Sequence, residues 1–197
     1  MIEYSADELE PDENARIVKS AVTPRPIAWI STVDEDGNEN LAPFSSYTYV
    51  DSHDPVVEFN SPNEGSGRMK DTAMNVLATE EFAVNVVTED VIETMDMTSA
   101  SLDADESEFA FADVDRDQST EIAAPRVADA AITMECTLYD AIDVHDRVMI
   151  LGDVVHYHVS EDVLTDGKVD SRKLPTVGRL GGPYYTVSDP IEFERQF

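Results

Sequence analysis

The alternation of apolar and polar residues divides the chain into strand-length runs with few helical stretches between them. Ile27-Ala28-Trp29-Ile30-Ser31-Thr32-Val33 is an apolar run that stops at Asp34-Glu35-Asp36-Gly37-Asn38, a hairpin turn signal built on Asp-Gly. Asn40-Leu41-Ala42 and Phe44-Ser45-Ser46-Tyr47-Thr48-Tyr49-Val50 form the returning strand, with Pro43 demanding a bulge or an edge position. Pro55 to Asn60, Phe82 to Val87, Ala131 to Tyr139 and Val148 to Val159 supply four more strands, the last two joined as a hairpin by the polar turn near Asp143–Asp146. Helical spacing is confined to Met69–Ala78 and Glu89–Met97, the second with Thr88 as candidate N-cap. Residues 1–20 are polar with little period and read as an arm with one short element. Residues 100–128 are acidic and irregular and read as a long surface excursion. Six strands in antiparallel hairpins predict a mainly β fold, a closed barrel with flanking helices. Strands and helices do not alternate regularly and no G-x-G-x-x-G occurs, so a Rossmann domain is disfavoured.

Composition sharpens this picture. At 197 residues the chain is one domain with appendages, and 42% hydrophobic residues suffice for a core. The formal charge is −29, from 13 basic and 42 acidic residues. That charge repels nucleic acid and anionic membrane surfaces, and it strains a compact state unless salt screens it. Only four of the basic residues are lysines, an aspartate-rich, lysine-poor balance typical of halophilic cytosolic proteins. No signal pattern and no apolar run of transmembrane length occur, so the expected location is the cytoplasm. The alternating acids of Asp113–Asp117 lack the glycine of a calcium loop. The single cysteine, Cys136, sits in an apolar stretch and reads as a buried small hydrophobe, and no metal site is expected. His156 and His158 share a strand face without a nearby third ligand, which suits a solvated or interfacial strand better than a metal. His53 reads as a loop residue. Trp29 has two readings, core or a partner for a stacked ligand, with core the more frequent use of a lone tryptophan.

The few cations carry the candidate chemistry. Between Pro26 and Asp115 the only basic residues are Arg68 and Lys70, which follow the loop Asn63-Glu64-Gly65-Ser66-Gly67 and open the first helical pattern. A helix start presents free N–H groups and partial positive charge, a natural place for a phosphate. The alternative is a pair of solvated surface charges.

Four stretches together resemble the flavin reductase-like family of FMN-binding split barrels. They are Thr23-Pro24-Arg25-Pro26-Ile27-Ala28-Trp29-Ile30-Ser31-Thr32 with its Asp-Gly turn; Asn40-Leu41-Ala42-Pro43-Phe44-Ser45-Ser46; Lys70-Asp71-Thr72 with Asn75; and Leu151-Gly152-Asp153-Val154-Val155 followed by Arg179-Leu180-Gly181-Gly182 and Tyr185. The resemblance implies a six-stranded antiparallel FMN-binding split barrel over 20–186, between an arm at 1–19 and a tail at 187–197, in a halophilic, haloarchaeal-type acidic member. It implies a homodimer with one FMN per subunit near the interface. Asn40, Ala42, Phe44, Ser45 and Ser46 are then expected along the ring and ribityl chain, and Arg68, Lys70, Asp71 and Thr72 near the phosphate. Arg179 and Tyr185 are the candidate catalytic residues, on a loop that closes over the flavin and admits a transient NADH or NADPH. The implied activity is hydride transfer from NAD(P)H to FMN and on to a small-molecule acceptor or a partner flavoenzyme. An FMN-binding electron carrier without NAD(P)H reactivity, or a flavin-free binding protein, are the alternatives.

Overall fold

The computed structural model describes residues 1–65, 67–102 and 106–194. Ser66 of the glycine-containing loop therefore lies outside the described residues. Seven antiparallel strands form the main sheet: β1 (Ala28–Val33), β2 (Glu39–Phe44), β3 (Tyr47–Asp51), β4 (Val56–Pro62), β5 (Glu81–Val86), β6 (Ile132–Val144) and β7 (Arg147–Val159), in the order β2-β1-β5-β6-β7-β4-β3. Among the described residues four α-helices accompany them: α1 (Pro11–Ala21), α2 (Asp71–Thr79), α3 (Ile92–Met97) and α4 (Glu108–Phe111).

The mainly β, antiparallel expectation holds, but the strand count is seven, not six. The run expected as one strand breaks at Ser45–Ser46, where the chain bends. Phe44 ends β2 on one edge of the sheet, and Tyr47 begins β3 on the other. The two edges are thus joined by the chain itself, and the ladder does not close hydrogen bond by hydrogen bond. The Asn60 N–H, on β4, donates to the Ser46 carbonyl at 2.8 Å and carries the β3–β4 pairing one residue into the bend. Pro43 takes the edge position with no bulge. It lies in unbroken register with Trp29, and the residue two before it, Leu41, sends its N–H away from β1 to Glu108. By alternation, position 43 faces the same way, where an N–H would find no strand.

β1 is buried along its whole length, which explains its unbroken apolar run. Ala28 and Ile30 face one core with Phe44, Phe59, Phe82, Cys136 and Ile150, and Ala73 and Val76 of α2 cap it. Trp29 faces a second core with Leu41, Met95, Phe109 and Val177. Phe82 stacks edge-on to Phe59, with ring centroids 5.4 Å apart, and lies over the backbone of Gly152. A Cβ at Gly152 would fall 2.3 Å from Phe82 Cζ.

Residues 100–128 depart from the expected surface excursion. Within the described part, α4 places Phe109 in the second core, Arg116–Asp117 pairs with Arg126–Val127, and Ile122 and Ala124 pack on Ala83. The Glu89–Met97 stretch is a 3₁₀ turn, Glu89–Val91, running into α3, and Thr88 stands at the N-cap position without a side-chain capping bond. The arm holds α1, which buries none of its residues. Its capping box is built by Glu10 and Glu13. A small sheet joins Arg25–Pro26, Val177–Arg179 and Tyr185–Val187. Among the described residues no helix is long and apolar enough to cross a membrane, and no three metal-ligating side chains gather.

Candidate flavin site

β2 and α2 meet because Asn40, Ala42 and Phe44 alternate onto one face of β2. Phe44 is buried in the core, Ala42 packs on it, and Asn40 donates from Nδ2 to Thr72 Oγ1 at 2.9 Å. One turn on, Asn75 donates to Thr32 Oγ1 at 3.1 Å and ties α2 to β1. Thr72 and Asn75 are both buried, so α2 is held by its polar face as well as by Ala73 and Val76.

The first turn of α2 therefore opens onto a cleft of about 400 Å³. Asn40, Ala42, Phe44, Arg68, Lys70, Asp71 and Thr72 all line it. Lys70 is the N-cap residue, and among the described residues no side chain caps the helix. The helix starts at Asp71, two residues later than the helical pattern starting at Met69 suggests. Arg68 pairs with Asp71 at 2.9 Å. Among the described residues the Lys70 ammonium has no carboxylate partner, although Asp34, Glu35 and Glu39 stand at the same cleft. Glu39 is drawn to Arg116 at 3.0 Å.

Two residue pairs do not join the lining. Ser45 and Ser46 occupy the bend between the sheet edges, with Ser45 half-buried and Ser46 exposed. Arg179 and Tyr185 pair with each other across the small sheet: the guanidinium lies 4.4 Å from the ring centroid, bonds the Tyr185 hydroxyl, and donates to the Gly182 carbonyl at 3.1 Å. Tyr185 reaches Asp96 at 3.5 Å, two residues before Thr98 and the start of the cleft's far wall.

That wall, Thr98 to Leu102 with Glu108, escaped the sequence reading. Trp29 holds it. The indole is fully buried and donates to Thr98 Oγ1 at 2.8 Å, so Trp29 is a core residue that also fixes one side of the cleft. Glu108 is 8% exposed and its Oε2 accepts the Leu41 N–H at 3.0 Å. Burial pushes its carboxyl above the usual range, and the Leu41 bond only partly offsets this.

Elsewhere, Cys136 is buried and its thiol is pushed well up by desolvation, so it is inert. His158 contacts the buried carboxylate of Glu135 at 2.5 Å, and His156 stacks beside it with centroids 4.9 Å apart.

Comparison with known proteins decides the family. Residues 20–175 match the model of the flavin reductase like domain. The chain belongs to the flavin reductase-like family. An uncharacterized protein of Aquifex aeolicus is 36% identical over 185 residues, covering 93% of this chain and 94% of that one. Among solved structures, nitrilotriacetate monooxygenase component B from Bacillus cereus superposes with a TM-score of 0.93 at 29% identity, over 99% of this chain and 98% of its own. The 2-nitrobenzoate 2-nitroreductase NbaA of Pseudomonas fluorescens gives 0.89 at 29%, over 98% and 96%.

Proposed function

We propose that this flavin reductase-like protein is a cytoplasmic, homodimeric FMN-binding oxidoreductase that takes hydride from NADH or NADPH and passes electrons to a second acceptor. One observation carries the reading: β2 and the uncapped start of α2 meet in a single cleft of about 400 Å³, within the range of small-ligand sites. The donor set fits FMN. A phosphate meets the free N–H groups of the α2 first turn, the Lys70 ammonium and Arg68, in a chain whose net charge repels anions. Asn40 and Thr72, already bonded to each other, supply an amide and a hydroxyl for the ribityl chain. Ala42 and Phe44 provide an apolar floor for a flat ring. Bound FMN supplies the hydride-accepting chemistry, and the chain's part is to bind, orient and tune.

The names of the solved relatives, a monooxygenase component and a nitroreductase, support a redox role. The exposed apolar side chains Tyr139, Ile142, Val155 and Tyr157 along the β6–β7 hairpin support a covered face in a dimer. The test is a visible spectrum of the FMN-loaded protein under anaerobic NADH and NADPH. Bleaching near 450 nm is expected. If only a chemical reductant bleaches the flavin, the electron-carrier reading replaces this one.

A further inference from the structure

Cations are scarce in this chain, 13 against 42 acids, so each one has carboxylates to choose from. Arg68, Arg116, Arg126, Arg147 and Arg172 are all ion-paired. Four others gather at one end of the molecule, and among the described residues none of the four pairs with a carboxylate. They are Arg16, Lys19, Arg25 and Arg179. Arg25 and Arg179 lie directly opposite each other in the small antiparallel sheet, a like-charge juxtaposition that is ordinarily destabilising. Burial, and then the charge of Arg179, pull the Arg25 guanidinium below its usual range. Arg25 is spent on the carbonyls of Lys19, Val22 and Leu180, which ties the end of α1 to the glycine-rich turn.

Between α1 and that turn lies a second cleft of about 520 Å³, lined by Arg16, Lys19, Ser20, Gly181, Gly182 and Tyr184. Among the described residues its one lining carboxylate is Asp12. Gly181 is set hard against α1: a Cβ there would fall 2.8 Å from Ser20 Oγ. Gly182 has φ +65° and turns the chain beneath the cleft. Arg16 and Lys19, three residues apart, share a helix face and are both exposed. Tyr184 beside them is 68% exposed.

We propose that this second cleft binds the diphosphate of a nucleotide, with Arg16 and Lys19 on the phosphates and Tyr184 as a stacking surface for the base. Two adjacent cations match two adjacent phosphates, and an exposed aromatic ring beside them is what a base stacks on. Naming the nicotinamide co-substrate as the source of that diphosphate rests on the oxidoreductase reading; binding of a free nucleoside diphosphate does not.

ADP is the probe, titrated calorimetrically into the FMN-loaded protein at the lowest salt that keeps it folded. Saturable binding is expected. Arg16→Ala and Lys19→Ala should each weaken it roughly tenfold, the loss of a charge-assisted contact. Neither should change FMN affinity. Lys168→Ala removes the same charge from an exposed strand pair elsewhere and should leave ADP binding as it was. No ADP binding to the wild type, or an equal loss in Lys168→Ala, overturns the site. Inhibition by ADP that is competitive with NADH or NADPH assigns the site to the co-substrate's nucleotide end, and non-competitive inhibition assigns it to a free nucleotide. Should neither dinucleotide reduce the flavin, the titration still reads the site independently.

Discussion

Two residues illustrate how local chemistry sets the limits of change. Gly152 exists to admit the Phe82 ring, since any Cβ meets that ring edge at 2.3 Å. Gly152→Ala should cost about 1–3 kcal/mol, the range for overpacking a filled core, and thermal or urea unfolding measures it. Glu108 is the opposite case, a carboxyl kept mainly because it accepts the Leu41 N–H. Its folded pKa is raised by burial, so its contribution to stability is full below the unfolded pKa and is lost as pH rises through the folded value. Glu108→Gln keeps an acceptor without the charge. It should melt at or above the wild-type temperature at neutral pH, with the difference shrinking as pH falls. Glu108→Ala strands a buried N–H and should cost about 1–3 kcal/mol, with the larger loss at low pH where Glu108 contributes fully.

At the scale of elements, the anchor of the 119–124 loop is a buried carboxylate on β6. Glu135 is fully buried and accepts the N–H groups of Thr120 and Glu121, both at 2.7 Å, together with His158. Burial alone would raise its pKa; those three partners more than compensate and hold it below the usual range. A depressed carboxylate contributes stability above its unfolded pKa and loses it as pH falls through the folded value. Glu135→Ala should cost about 3 kcal/mol near neutral pH and flatten acid unfolding, and its clearest mark should be faster hydrogen exchange at Thr120 and Glu121. The sequence carries no trace of this contact, because Glu135 and Thr120 meet through the fold and not through periodicity. The same holds for Glu108 on Leu41, which lies 67 residues away. What was legible was local: the β1 run, the Asp-Gly turn, the α2 pattern and the cations at its start. The break at Ser45–Ser46 was not legible, since two serines in an apolar run read equally well as a strand face. Whether the chain bends there depends on where the two sheet edges have to be.

At the scale of the whole molecule, charge dominates. With −29 formal charges and few ion pairs, self-repulsion opposes the compact state, and salt should relieve it. The melting temperature should rise between about 0.1 M and molar salt, where the Debye length falls from ~10 Å to ~3 Å. An unchanged melting temperature would remove the halophilic interpretation. The same repulsion gives the cleft at α2 its meaning, for an anion approaching this surface needs a local concentration of donors, and helix N–H groups, Arg68 and Lys70 converge there. The most direct test compares FMN with riboflavin, which lacks the phosphate, on wild type and Lys70→Ala by flavin fluorescence titration. FMN should bind the wild type more tightly than riboflavin does, and Lys70→Ala should weaken FMN by roughly tenfold or more while leaving riboflavin nearly unchanged. Equal losses for both ligands, or no preference for FMN in the wild type, would contradict a phosphate site at the start of α2.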